Sequence, residues 1–140
     1  MILVDLNVLL DVVQKREPHY HASAAVLEEI IRRRDQGALP AHAVTTIHYI
    51  VGRHQTRDIA DNAVDWLLRY FHVASVGREE FLRARALTFE DFEDAVVAAA
   101  AESAGCAAIV TRNVKDFQGS PVEAVTPEEY LVNLQGEGGN

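Results

Sequence analysis

A chain of 140 residues, 49% hydrophobic and 24% charged, has the make-up of one globular domain and excludes a disordered polypeptide. Its net charge of −8 excludes a broad basic groove for nucleic acid, yet it suits a nucleic-acid enzyme whose carboxylates gather divalent cations. No apolar run reaches the ~20 residues of a membrane helix, and a single cysteine, Cys106, rules out an internal disulfide.

Met1 to Val4 is a short apolar run stopped by Asp5, too short for a signal peptide and fit for a buried parallel strand. The expected address is the cytoplasm. Asn7 is the expected cap of a helix from Val8 to about Lys15 that includes Asp11. Pro18 suits the first turn of a second helix, which runs through Ala24, Leu27 and Ile31 to an end at Gly37. Arg32, Arg33 and Arg34 fall near that end, where cations oppose the macrodipole.

Leu39 to Val44 reads as the second strand, with a helix from Thr45 or Thr46 to about His54. A further helix spans Asp58 to Phe71, with Ile59, Ala63, Trp66, Leu67 and Tyr70 on one face. His72 to Val76 is the third strand and Glu79 to Leu87 a short helix. Then comes EDFEDAVVAAAAESA, Glu90 to Ala104: four carboxylates in five positions running into a segment apolar on every side, as a fully buried helix would be. Gly105 breaks it, Ala107 to Val110 is the fourth strand, and TRNVKDF, Thr111 to Phe117, is the loop that leaves the strand. Val122 to Val125 is a short fifth strand, and Thr126, Pro127 and Glu129 open a last helix, to about Leu134, with a capping box. Residues 1–135 form one domain, followed by a frayed glycine-rich tail, 136–140.

Strands alternating with helices predict an α/β fold with a parallel sheet covered on both faces. Ligands on such sheets bind beyond the carboxyl ends of the strands, where strand order reverses. Asp5, Asn113 and Asp116 would share that edge. Asp91 and Asp94, three apart on one helical face, could meet one ion. Taken singly, each acid has a rival role in a cap or a turn. Together they suit a hard divalent cation, whose chemistry is phosphodiester hydrolysis: it polarises a phosphoryl oxygen and acidifies the attacking water. Arg112 and Lys115, beside this edge, are candidates for guiding an RNA backbone. His19 and His21 have surface roles; His48 has two readings, structural or as a contact to Mn2+ or phosphate.

The segments VDLNVLLDV, FEDFEDAVVAAAA and TRNVKDF, in this order and spacing, resemble PIN-domain proteins, above all the toxin components of bacterial toxin-antitoxin pairs; TPEEYL fits the same pattern. The resemblance implies a three-layer α/β/α sandwich around a parallel sheet of about five strands. It also implies a Mg2+ or Mn2+ dependent endoribonuclease, usually a homodimer and inhibited by a small antitoxin. Asp5, Asp94 and Asp116 match the catalytic, metal-binding acids, and Asp91 or Glu93 adds a further one. Thr111 and Asn113 match polar positions of the loop, with Asn7, Thr46, His48, Arg112 and Lys115 around them as substrate or supporting residues. One departure stands out. Where the family commonly has a glutamate opening the helix after strand two, VTTIHYIVGR places Thr46 or His48. Fewer carboxylates hold a hard cation less tightly, so the alternative is a PIN-like domain, weak or inactive in catalysis, that binds protein or RNA.

Overall fold

The computed structural model describes residues 1–33 and 36–138, so Arg34 of the arginine run and Gly139 and Asn140 of the tail lie outside the described residues. Five short strands, β1 (Ile2–Val4), β2 (Gly37–Pro40), β3 (His72–Ala74), β4 (Ala108–Val110) and β5 (Ala124–Val125), form one sheet. Their order is β3-β2-β1-β4-β5, every pairing parallel, with Leu3 of β1 opposite Ala38 on one side and Ile109 on the other. Between them run α1 (Leu6–Val13), α2 (Tyr20–Arg32), α3 (Ala41–His54), α4 (Arg57–Tyr70), α5 (Arg78–Ala86), α6 (Phe92–Ser103) and α7 (Pro127–Gly138). None of the described helices is long and apolar enough to cross a membrane.

Side chains alternate across a strand, so neighbouring residues feed opposite layers. Val4, Leu39 and Val110 pack with Val8, Leu9, Val26, Ile47 and Leu67 in the layer of α1–α4 and α7. Leu3, Ala38 and Ile109 pack with Val97, Ala98 and Ala101 of α6 on the other face. The result is the expected three-layer α/β/α sandwich. Helix α6 is buried all round from Ala95 to Ala101, because Ala95, Val96 and Ala99 turn to Ala84 of α5 while the other side meets the sheet. It ends at Gly105, whose φ of +71° favours glycine and lets Cys106 N–H reach Ala101 O at 2.9 Å.

Several boundaries differ from expectation, each for a local reason. Asp5, not Asn7, caps α1: its Oδ1 accepts from Leu6 N–H at 2.8 Å. Helix α2 starts past Pro18, and Gly37 opens β2 instead of ending α2. Strand β2 stops at Pro40, whose extended backbone leads directly into α3 at Ala41. On α4 the buried positions are Ala60 and Leu67, whereas Ile59 and Tyr70 are exposed. Helix α7 continues past Leu134 through Gly138.

Gly37 is needed for its bareness. A Cβ there would collide with Ile30 Cγ2 and stand 2.8 Å from the Phe71 ring, both buried groups with little room to yield. Gly37→Ala should therefore destabilise the chain by about 1–3 kcal/mol, read as a lower urea midpoint with an unchanged slope.

Candidate active site

The order of strands puts β1 beside β4 at the centre of the sheet, with the chain turning outward in opposite directions from the two. Just beyond their carboxyl ends stand Asp5 and Thr111. Both are buried, at 4% and 0% exposure, so their polar atoms must find partners inside. Thr111 Oγ1 donates to Asp5 Oδ2 at 2.8 Å and accepts from Asn113 N–H at 3.1 Å. Asn7, in the first turn of α1, points its Nδ2 at Asp5 Oδ2 (3.5 Å) and Thr111 Oγ1 (3.4 Å), and its Oδ1 accepts from Arg112 N–H (3.4 Å). Asp5 is thereby fixed from three sides. Burial pushes its carboxyl up from 3.8 to about 6; the Thr111 bond pulls the other way and Glu93 adds to the rise.

The mouth of α6 faces this corner. Asp91 is the N-cap, its Oδ1 accepting from Asp94 N–H at 3.1 Å. Asp91, Glu93 and Asp94 bring ligand oxygens within 4.8 Å of one another, the one such group among the described residues. Desolvation lifts the Asp94 carboxyl from 3.8 to about 7, and the charges of Asp91, Asp5, Glu93 and Asp116 all push in the same direction. That four acids act on Asp94 places them at one locus. A cleft of about 820 Å3 opens here, with Asp91, Asp94, Lys115 and Asp116 among its walls. Asp116 arrives on a 3-10 turn, Val114–Phe117, anchored by buried Phe117, whose ring meets Phe89 edge-on at 5.9 Å.

The corner is rich in carboxylate oxygens, two of which, on Asp5 and Asp94, are raised by burial and by neighbouring acids, and such oxygens fit a hard divalent cation. Glu93, exposed at the mouth of α6, lies within reach of the same point as Asp91 and Asp94.

The structure also relocates residues. Because α3 starts at Ala41, its first turn presents His42, and His42 Nε2 lies 2.9 Å from Glu93 Oε1. His42 is the residue missed in the sequence. Its signal is Pro40, which ends β2 and opens α3 where the sequence pattern predicts strand as far as Val44. Thr46 is one turn further on and bonds back to His42 O at 3.0 Å. His48 pairs with Asp61 of α4 at 2.7 Å, which supports the structural one of its two readings. Arg112 reaches inward: its Nε donates to buried Asp11 Oδ2 at 2.8 Å, while its side chain stays partly exposed. Lys115 is exposed on the cleft wall, as such a role requires.

No curated protein sequence matches this chain. Solved structures do. A toxin-antitoxin complex from Klebsiella pneumoniae contains a chain 23% identical, with TM-score 0.71, aligned over 91% of this chain and 98% of that one. FitAcB from Neisseria gonorrhoeae is 19% identical at TM-score 0.71, over 91% and 99%. Mycobacterium tuberculosis VapC20, a sarcin-ricin loop cleaving toxin, is 13% identical at TM-score 0.69, over 87% and 96%. At these identities the likeness is one of fold. A family model of the PIN domain matches residues 1–115, taking in Asp5, Asp91, Glu93 and Asp94 and stopping just short of Asp116, and the chain belongs to the PIN-domain family.

Proposed function

We propose that this protein is a Mg2+ or Mn2+ dependent endoribonuclease, the toxin of a toxin-antitoxin pair, with Asp5, Asp94 and Asp116 as catalytic acids and Asp91 as a further metal ligand. The observation that carries the reading is the pile-up of charge on Asp94 from four other acids at the switch point of the sheet. Glu93 joins the ligand set. The likeness to chains from toxin-antitoxin complexes, and to a toxin named for cleaving the sarcin-ricin loop, supports the RNA substrate and the antitoxin partner; a homodimer is part of the proposal.

A divalent cation held by these oxygens supplies Lewis-acid stabilisation of the phosphoryl group and a more acidic attacking water. The chain's own residues do the placing. Asp5 cannot swing, because Leu6 N–H, Thr111 and Asn7 hold it. Asp94 sits in the first turn of α6, where backbone N–H groups favour negative charge. Asp116 closes the other wall, and Lys115 beside it offers a cation to the RNA backbone.

Titrating Mn2+ and Mg2+ against cleavage of a structured RNA tests this. Asp5→Asn should cut the rate at least about a hundredfold while the protein stays folded by circular dichroism. Cleavage that persists without divalent ions, or survives this substitution, would overturn the reading. One observation favours a second reading: His42 already partners Glu93, as it would in a PIN-like domain that binds RNA or protein without cutting. In that case the wild type binds RNA and no metal titration produces cleavage.

A further inference from the structure

Asp11 has no part in the chemistry described so far, yet it is a carboxylate at 0% exposure inside α1. Its Oδ2 accepts from Ser23 Oγ at 3.1 Å and from Arg112 Nε at 2.8 Å, while Oδ1 has no partner among the described residues. As a stabilising device this is a poor arrangement. Replacing a buried ion pair by apolar side chains is often neutral or favourable, and here one oxygen is left unsatisfied as well. The placement of the pair points to a different use. Arg112 immediately follows Thr111, and its own N–H bonds to Asn7 Oδ1, so α1 grips the start of the post-β4 loop twice, once through backbone and once through side chain. Phe117 buries the other end of that loop. Asp116 hangs between these two anchors.

We propose that Asp11 and Arg112 are a positioning pair, which fixes the Thr111 hydroxyl on Asp5 and sets where Asp116 stands across the cleft from Asp94. The proposal rests on the nuclease reading for its catalytic consequence, though not for the clamp itself. The guanidinium is suited to the task because its planar fork holds a direction that an ammonium does not. Residues supporting a metal site in this way typically alter metal affinity by about 10–100-fold when changed.

Two variants separate positioning from simple stability. The pair Asp11→Leu with Arg112→Met removes both charges together, and Arg112→Lys keeps the charge but loses the fork. Both should stay folded by circular dichroism. Mn2+ binding by calorimetry should weaken at least about tenfold in each, and kcat should fall by a similar factor with KM within about twofold of wild type. A folded variant that binds Mn2+ and cuts RNA like wild type would overturn the proposal. Hydrogen exchange supplies a readout that needs no metal. In Arg112→Lys the amides of Asn113 and Asp116, bonded to Thr111 Oγ1 and Asn113 O, should exchange at least about tenfold faster than in wild type. If the wild type neither binds Mn2+ nor cuts RNA, the nuclease reading falls and this exchange alone judges the pair; unchanged exchange would refute it.

Discussion

Asp94→Asn should abolish divalent stabilisation and cleavage, and in the absence of metal it should make the protein more stable, not less. The raised carboxyl, about 7 against 3.8 in an unfolded chain, means that the folded protein holds a proton between those values that the unfolded chain has released. Stability contributed in this way is full below about pH 4 and is lost as pH rises through about 7. At ~pH 8 the metal-free wild type carries the whole cost of the ionised cluster. Asparagine keeps the shape and removes the charge. Asp94 is partly exposed, so solvent screening leaves about a third of the full shift, on the order of 1 kcal/mol or a few degrees in Tm. Saturating Mn2+ reverses the ranking, since ligand at about 100 times Kd stabilises wild type by ~2.7 kcal/mol and the variant by nothing. Melting curves from ~pH 5 to ~pH 8, with and without Mn2+, read both effects. A metal-free variant at ~pH 8 that melts below wild type would contradict the account of the cluster.

The largest loss of stability is expected from Arg112→Met alone. It strands the Asp11 carboxylate at 0% exposure with only Ser23 Oγ for company, and breaking a buried pair in this way costs about 3–5 kcal/mol. That is a large part of the ~5–15 kcal/mol by which such domains are stable. Adding Asp11→Leu should recover most of the loss, because the stranded charge goes with it. Urea unfolding of the two single variants and the double variant closes a thermodynamic cycle, and additive losses would show that the two residues do not depend on one another.

The frame of the protein was readable because its signals are local. Short apolar runs ended by polar residues marked the strands, and the unbroken apolar character of Ala95–Ala101 marked a helix with no solvent face. The acids that gather at the candidate site were also readable: Asp91 and Asp94 by their spacing, Asp5 at the end of β1 and Asp116 in the loop past β4. What failed were questions whose answers lie far away in the chain. That Arg112 also holds Asp11 could not be read, because the two are 101 positions apart. His42 was hidden because the sequence pattern carries the second strand through Pro40 to Val44, whereas α3 starts at Ala41. A proline can end one element and begin the next with the same fixed φ, and only the packing of Leu39 and Ala43 shows which it does.

The bond from Thr111 to Asp5 spans 106 positions, and that separation governs when the site comes into being. Strands β1 and β2 can pair once residues 1–40 exist, but β4 must close a loop of 106 positions to reach β1, and such distant pairings are slow to form. A nascent chain that has emerged only as far as β3 holds Asp5 and none of the acids it works with. Synthesis from the N-terminus therefore delivers β1 to β3 first, and the cleft cannot close until the chain has been made as far as Asp116.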